Sequence, residues 1–487
     1  MRRAPWPLSW PGRLALLLAA VTALRVWFAV SVDLCPDEAY YWTWSLVPDW
    51  GYYDHGPVVA WLMWLGTALL GTGELGVRLG ALVASLITAV FVYRLAAATS
   101  GRQSTAFWTV VLLETSPLFA TGAVIHTPDA ALAAAWSAAA WYGLSALERR
   151  SIWPWLGMGL AVGVAIMAKA TGFLFLVGLG VFLVACPAGR RRLFTPGPVS
   201  AVLVALLVAA PHIVWNARTS GGSFSFQLQH LAGGWRFRPR GLLELLGGQA
   251  GVLGPLTFLG LVVFAVVGAG RRVRRSKSDV FLLWCLAVPL LVLCLLLSLL
   301  SKVEANWPAV AYLTLLPGAA WSWRGGHFYP RRGKIWLALA VALALATTIV
   351  AHLQALHPFL PLEQRHDPTR RLRGWAELAR TAERQADAQR ARLAAEGYGP
   401  VSELRFYTGR EVAYQPSRTR RSQYDLWPAG QTSGHDILFL QPRGSQEVPR
   451  LCKSHDDRWL IEGLEKSSAG RREGDFNWWV CKKTRNR

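Results

Sequence analysis

Charged residues are scarce in this chain of 487 residues. They make up 16% of the sequence, whereas soluble globular proteins contain about 25%. Hydrophobic residues make up 53%, and the chain contains 25 tryptophans. This shortage of charge argues against a soluble enzyme.

Acidic residues are the scarcer charge, and they are unevenly distributed. The chain contains 51 Lys+Arg and 29 Asp+Glu, a net charge of +22, and 24 of the basic and 17 of the acidic residues follow position 361. The first 361 residues contain only 12 acidic residues, spread among long apolar runs. We therefore predict a transmembrane domain at residues 1–356 and a soluble domain at residues 357–487.

Eleven apolar runs approach the length that crosses a hydrocarbon core, about 20 residues, and predict a polytopic α-helical membrane protein with about 11 to 13 transmembrane helices. We expect the first run to be retained rather than cleaved as a signal peptide, because it contains Arg25 and lacks a clear cleavage site. A shorter run at 58–70 predicts an interfacial or re-entrant helix in the first outer loop. The eleven runs are 14–32, 77–96, 105–123, 130–147, 152–168, 171–185, 199–215, 252–269, 280–300, 307–323 and 335–351.

Charge provides an independent test of this threading. With the N-terminus in the cytoplasm, 19 of the 27 basic residues before position 362 lie on the cytoplasmic side, as the positive-inside rule requires. Nine of the twelve acidic residues there map to the outer face. Because charges near the membrane are costly and commonly functional, we expect the chemistry at the outer leaflet.

The soluble domain follows an odd number of spans and is therefore predicted to be periplasmic, on the outer face of the inner membrane. There Cys452 and Cys481 are able to form a disulfide. The sequence predicts an amphipathic helix at 375–395 and short strands at 401–407, 437–440 and 478–480, which together indicate a small α/β domain.

The first outer loop contains Cys35-Pro36-Asp37-Glu38-Ala39-Tyr40, followed by Tyr53-Asp54-His55-Gly56-Pro57. A carboxylate among aromatic residues at an interface can act as a general base, because partial desolvation moves its pKa towards neutrality. Capping of a helix N-terminus is the alternative explanation for Asp37 and Glu38.

Two more outer segments contain candidate residues. The turn His126-Thr127-Pro128-Asp129 holds Asp129 between two spans, where it serves either the chemistry or a helix cap. Lys169 lies at the outer end of two adjacent spans, where its ammonium meets either a lipid headgroup or a ligand phosphate.

Basic residues recur in the later outer loops. Arg236, Arg238 and Arg240 alternate with aromatic residues and suit a lipid-linked phosphate, although a generic basic loop is the alternative. The loop before the tenth span adds a cation, an acid and an amide: Lys302, Glu304 and Asn306.

These segments, in this order, resemble the bacterial GT-C glycosyltransferases of the protein O-mannosyltransferase and aminoarabinose-transferase superfamily. The resemblance extends into the soluble domain, at 405–410 and 422–428. It implies a GT-C fold and transfer of a sugar from a polyprenyl phosphate to an acceptor hydroxyl, by direct displacement with inversion. Membrane lipid and a lipid, glycan or protein acceptor are the other expected partners, whereas nucleic acid is not expected, since the positive charge is topological.

The resemblance also implies roles for individual residues. Asp37 would be the general base, Glu38 beside it a further catalytic candidate, and Asp129 a second essential carboxylate. Asp54 and His230 match positions that bind a divalent metal ion in some relatives, but two ligands are fewer than a tight site needs, so a metal cofactor is left open. Candidates for the donor phosphate are His55, Lys169, Arg236, Arg238 and Lys302, and candidates for acceptor or donor binding are Tyr40, Tyr53, Glu304 and Asn306.

A lipid-linked sugar transporter or flippase is the alternative function, because charges in a helical bundle also mark permeation paths. Against it, the charges cluster at one face, no inverted repeat is visible, and an external domain follows.

Overall fold

The computed structural model describes residues 8–219, 222–232, 237–268, 277–324, 330–363, 366–418, 420–427, 435–442, 447–453, 455, 457–468 and 471–483. Within these ranges the chain forms nineteen α-helices: α1 (Trp10–Ser31), α2 (Pro36–Ser45), α3 (Val58–Leu70), α4 (Glu74–Ser100), α5 (Gln103–Thr115), α6 (Pro117–Gly122), α7 (Pro128–Glu148), α8 (Trp153–Ala168), α9 (Phe173–Ala185), α10 (Pro187–Leu193), α11 (Pro196–Arg218), α12 (Gly222–Ala232), α13 (Pro239–Leu253), α14 (Pro255–Gly268), α15 (Ser278–Ser298), α16 (Ala309–Arg324), α17 (Pro330–Leu356), α18 (Trp375–Gln389) and α19 (Tyr398–Thr408). Five strands follow the same order: β1 (Arg392–Glu396), β2 (Ala413–Gln415), β3 (Ile437–Pro442), β4 (Asp457–Ser468) and β5 (Arg471–Lys482).

The chain divides into two compact units. The helical unit consists of Met1–Trp27, His55–Val59 and Leu79–Ile349, and the mixed unit of Phe28–Asp54, Ala60–Arg78 and Val350–Arg487. The last long apolar helix, α17, ends at Leu356, where the predicted soluble domain begins. That boundary stays a prediction.

Each of the eleven predicted spans coincides with one or more helices. Among the described residues, six helices are long and apolar enough to cross a membrane, or up to eight if each of two bent pairs counts as one span. The chain is therefore a multi-pass membrane protein, but the predicted number of spans is not confirmed. The predicted short helix at 58–70 is present as α3, which covers the same residues.

Prolines and a glycine mark the positions where apolar helices break or bend. The run at 105–123 is interrupted at Ser116, which is extended because a residue before proline is disfavoured in the α conformation. Helices α9 and α10 bend by 105° before Pro187. Helices α13 and α14 bend by 117° at Gly254, whose φ of 85° suits glycine.

The mixed unit contains a five-stranded sheet in the order β2-β1-β3-β5-β4. Strand β1 pairs in parallel with β2 and β3, and β5 pairs antiparallel with β3 and β4. Its core includes Ile437, Phe439 and Trp479. Cys452 and Cys481, which also lie in this core, form a disulfide with Cα atoms 5.5 Å apart.

In the soluble domain, one predicted helix is confirmed but ends earlier than expected, and one predicted strand was wrong. The predicted helix at 375–395 ends at Gln389, because Arg390 takes a left-handed conformation and the chain continues into β1. The predicted strand at 401–407 lies in helix α19, which buries Val401 and Leu404 at the i,i+3 spacing and ends just before Gly409, whose conformation is left-handed. Short apolar runs do not distinguish helix from strand by themselves.

Candidate functional site

Asp37 lies in the first turn of α2, which begins with proline at its first helical position. Its carboxylate accepts hydrogen bonds from Arg371 Nη2 at 2.7 Å and from the Tyr398 hydroxyl at 2.9 Å. The Asp37 side chain is 29% exposed. The predicted base is therefore accessible and oriented by two side chains.

Glu38, the neighbouring acid, makes the helix-capping contact that was the alternative explanation for this pair. Its Oε2 accepts from the backbone N–H of Cys35, which precedes the helix. Both of its oxygens also accept from Arg78, at 2.9 and 2.8 Å, and both side chains are fully buried. Arg78 also donates to the carbonyls of Ala29 and Val32 at the end of α1. This geometry favours an anchoring role for Glu38.

Asp54 is also fully buried, and side chains hold both of its oxygens. Arg420 Nη2 donates to Oδ1 and the Tyr40 hydroxyl donates to Oδ2, each at 2.6 Å. Burial raises the pKa of Asp54, although Arg420 and Tyr40 act in the opposite direction. The backbone N–H of Gln423 donates to the Tyr40 oxygen, and the Gln423 side-chain oxygen accepts from the backbone N–H of Tyr53.

Within the mixed unit, Arg420 connects Asp54 with Asp37, through the Tyr398 hydroxyl. Its Nη1 donates to the Tyr398 hydroxyl at 2.9 Å, and its guanidinium lies 4.7 Å from the centre of the Tyr398 ring. A continuous chain of hydrogen bonds, here called the Asp37–Asp54 network, thus joins Arg371, Asp37, Tyr398, Arg420, Asp54 and Tyr40.

Sequence reasoning missed Arg371, Tyr398 and Arg420. All three lie in the region predicted as a separate soluble domain, more than 330 residues from the acids that they contact. The sequence feature nearest to Arg420 that pointed to this region was the segment 422–428, which resembles the GT-C superfamily and begins two residues after Arg420.

A second carboxylate site lies in the helical unit. Asp129, in the first turn of α7, accepts from Lys169 Nζ at 2.8 Å and from Asn306 Nδ2 at 2.7 Å. Lys169 is buried, and its ammonium group forms an ion pair with the Asp129 carboxylate. Three sequence candidates that lie far apart in the chain are therefore brought together.

Gln249, on α13, forms two hydrogen bonds next to this second carboxylate site. Its Nε2 donates to the carbonyl of Ala305 at 3.1 Å, and its Oε1 accepts from the Tyr312 hydroxyl at 3.0 Å. Gln249 is buried. Because Ala305 precedes Asn306, these contacts fix the backbone that presents the amide to Asp129.

Gly56, two residues after Asp54, lies against the backbone of the segment that leads to Lys169. A Cβ atom at Gly56 would lie 1.8 Å from the carbonyl oxygen of Met167, two residues before Lys169. Only glycine fits this close backbone approach.

Three of the remaining candidates form exposed ion pairs: Lys302 pairs with Glu304, and Arg238 pairs with Glu244. His55 is half-buried in the helical unit. Arg236 lies outside the described residues, as does the side chain of His230, whose backbone belongs to α12.

A divalent metal ion does not fit the described surroundings of Asp54. Both carboxylate oxygens are engaged by Arg420 and Tyr40. Among the described side chains, no group of three or more His, Cys, Asp or Glu residues is placed to hold a metal. No step of the reaction is therefore assigned to a metal at Asp54.

The sequence is similar to membrane transferases over most of its length. The profile of the family described as dolichyl-phosphate-mannose-protein mannosyltransferase matches residues 54–215. The chain is 28% identical over 470 residues to the lipid A galacturonosyltransferase RgtD of Rhizobium johnstonii, covering 90% of this chain and 93% of the relative. It is 26% identical over 324 residues to the undecaprenyl phosphate-alpha-4-amino-4-deoxy-L-arabinose arabinosyl transferase of Erwinia tasmaniensis, covering 62% and 56%.

Among solved structures, the chain is similar to ArnT from Cupriavidus metallidurans bound to undecaprenyl phosphate. The TM-score is 0.67 at 16% identity, and the match covers 96% of this chain and 97% of ArnT. At this level of identity the likeness shows a shared fold.

Proposed function

Since the chain belongs to the superfamily of bacterial GT-C membrane glycosyltransferases, we propose that it transfers a sugar from a polyprenyl-phosphate donor to an acceptor hydroxyl, with inversion. The observation that carries this proposal is the geometry of Asp37, an accessible carboxylate oriented by Arg371 and Tyr398. RgtD, similar over 90% of the chain, is named as a lipid A galacturonosyltransferase. ArnT, which shares the fold, binds undecaprenyl phosphate.

Asp37 serves as the general base in a single displacement. The acceptor hydroxyl donates to another lone pair of the Asp37 carboxylate, which is 29% exposed, while Tyr398 holds Oδ1 and Arg371 holds Oδ2. The acceptor oxygen attacks the anomeric carbon as its proton passes to Asp37. The bond between that carbon and the phosphate oxygen breaks, and the electron pair leaves with the polyprenyl phosphate.

For the second site, we propose that Asp129 is an essential carboxylate and that Lys169 holds it in position. An ammonium group has three N–H donors, so Lys169 can bond Asp129 and still offer a donor to a phosphate oxygen. Positive charge near the leaving phosphate stabilises the charge that develops in the transition state. The contact of Asn306 with the other Asp129 oxygen supports an orienting role.

We further infer an orientation in the inner membrane with the N-terminus cytoplasmic and the C-terminal domain periplasmic. The distribution of arginines along the chain supports this orientation. The disulfide between Cys452 and Cys481 supports it as well, because disulfides persist in oxidising compartments.

A transfer assay tests the proposal directly. Purified protein in nanodiscs receives labelled polyprenyl-phosphate galacturonate or polyprenyl-phosphate 4-amino-4-deoxy-L-arabinose, with lipid A as acceptor. The wild type is expected to transfer at least one of these sugars. Asp37→Asn should bind the donor but transfer its sugar at least about 100-fold more slowly than the wild type, because general base catalysis is lost.

Asp49→Asn is the matched control, since Asp49 is an exposed carboxylate of the same loop. Transfer by Asp37→Asn at the wild-type rate would refute the base assignment. Movement of the donor across vesicles without any transfer would instead favour a flippase.

A further inference from the structure

The cation beside Asp54 is supplied by the chain itself. Arg420 Nη2 lies 2.6 Å from Oδ1 of this fully buried carboxylate. We propose that Arg420 is the resident counter-cation of Asp54, in place of a divalent metal ion, and that it positions the base Asp37 through Tyr398. The second half of this inference rests on the proposed function, whereas the first half does not.

Among the described residues, the bonds that Asp54 makes leave a metal ion no place at either carboxylate oxygen unless one of them breaks. A buried carboxylate needs a compensating charge and further hydrogen bonds, and Arg420 and Tyr40 supply them on opposite oxygens. A metal at Oδ1 would have to displace the guanidinium, and one at Oδ2 the Tyr40 hydroxyl.

The charge of the network is already balanced. Its two guanidinium groups, of Arg371 and Arg420, face two carboxylates, of Asp37 and Asp54. Arginine does not lose its proton in proteins, so the positive charges are permanent. A divalent ion would add two charges where none is needed.

Arg420 also keeps the Tyr398 hydroxyl directed at the base. The Tyr398 hydroxyl has one proton, and Arg420 can only donate to it. Tyr398 therefore accepts from Arg420 at 2.9 Å and donates its own proton to Asp37 Oδ1, a carboxylate oxygen that only accepts, also at 2.9 Å. Burial and the neighbouring Asp37 raise the pKa of Tyr398, so this proton is retained at neutral pH.

This arrangement makes Arg420 a positioning residue that acts from the C-terminal domain. Without it, the Tyr398 ring loses the guanidinium 4.7 Å from its centre, and the hydroxyl is free to rotate away from Asp37. A misplaced base slows the reaction without removing any group that touches the substrate.

The first experiment measures metal. Wild-type protein in nanodiscs is analysed for bound Mg, Mn, Zn and Fe by mass spectrometry, before and after treatment with EDTA, and its transfer rate is measured in parallel. We expect no stoichiometric metal and an unchanged rate after chelation. About one divalent ion per chain, lost together with activity on chelation and restored by that ion, would overturn the proposal.

The second experiment measures positioning. Arg420→Gln is expected to lower kcat by about 100-fold, as a misplacement of about 1 Å can do, with a much smaller change in KM for the donor. Arg420→Lys, which keeps the charge, should fold even if Arg420→Gln does not and should recover part of the rate. Arg418→Ala is the matched control, because this nearby arginine pairs with Glu447 in an exposed contact.

A double variant separates positioning from a general structural role. If Arg420 acts through Tyr398, Arg420→Gln combined with Tyr398→Phe should lose no more activity than the stronger single variant, because coupled residues are non-additive. Losses that multiply would overturn the positioning role. A wild type that transfers none of the sugars would refute the proposed function, while the metal analysis would still decide what neutralises Asp54.

Discussion

Arg371 donates a 2.7 Å hydrogen bond to Asp37 from 334 residues further along the chain. The contact is open to solvent, since the side chains are 49% and 29% exposed. An exposed ion pair of this kind contributes about 0–1 kcal/mol to stability. Its value to the protein therefore lies in orienting Asp37 rather than in stabilising the fold.

Replacing Arg371 is accordingly expected to affect catalysis more than stability. Arg371→Gln should lower kcat by about tenfold, which corresponds to about 1.4 kcal/mol of barrier, and should leave the thermal midpoint almost unchanged. Arg384→Gln is a suitable control, because Arg384 is an exposed arginine on α18 that bonds Thr381. A large fall in the midpoint, or an unaltered kcat, would contradict the orienting role.

For Glu38 and Arg78 we expect the opposite: replacing either side chain should affect stability more than catalysis. Because both side chains are fully buried, Glu38→Gln leaves an uncompensated charge that should cost about 3–5 kcal/mol. We expect a sharp loss of monodisperse protein on size-exclusion chromatography and a lower thermal midpoint. Removing both charges in Glu38→Gln/Arg78→Met should restore much of the yield.

The same measurement tests the predicted catalytic role of Glu38. A Glu38→Gln variant that keeps the wild-type midpoint and has lost transfer would show that Glu38 takes part in the chemistry. It would also show that anchoring α2 is not its main role.

Gln249 is expected to influence the Asp129 site without touching its carboxylate. Gln249→Leu leaves the Ala305 carbonyl and the Tyr312 hydroxyl without their buried partner, which should cost about 1–3 kcal/mol of stability. It should also lower transfer, because Asn306 is less firmly presented to Asp129. The rate and the thermal midpoint are measured on the same preparations.

Gln249→Glu serves as the matched comparison. It keeps an acceptor for Tyr312 and, when ionised, has no donor for Ala305, although it also adds a buried negative charge that should lower the thermal midpoint. If transfer by this variant equals that of the wild type, Gln249 does not position Asn306, and any effect of Gln249→Leu is one of stability alone.

Local information in the sequence was sufficient for much of the fold. Helices follow from long apolar runs, because backbone groups within a membrane must be bonded inside the same segment. Asp129 was predicted correctly at a tight turn because Pro128 begins a helix there. Helix α3 was predicted not to span the membrane because its run of 13 residues is too short, and because counting it as a span would put the later arginine clusters on the wrong side.

The partners of the predicted acids could not be predicted in the same way. The contacts of Asp37 with Arg371 and of Asp54 with Arg420 join segments 334 and 366 residues apart. Nothing in the local pattern distinguishes these two arginines from the many others of the C-terminal domain. The tertiary fold, rather than any motif, selects them.

Asp367 holds the turn that carries Arg371, and we expect its protonation to lower the stability of the folded protein in acid. Its carboxylate caps the short helical turn Pro368–Leu372, which carries Arg371, by accepting from the backbone N–H of Thr369. It also accepts from Arg373 and Gln354. Burial alone would raise the pKa of Asp367, but these hydrogen bonds outweigh burial, and the pKa is lowered.

A lowered pKa in the folded state means that the unfolded chain binds the proton more readily. The stabilising contribution of Asp367 is thus complete above the pKa of an unfolded aspartate, about 3.9, and is lost as the pH falls through the lower, folded value. Asp367→Asn should lower the thermal midpoint at pH 7, and its difference from the wild type should shrink between pH 4 and pH 3. Glu363→Gln, at an exposed acid of the same segment, should show no such trend. A difference between wild type and Asp367→Asn that stays constant from pH 7 to pH 3 would mean that this carboxylate does not hold the turn.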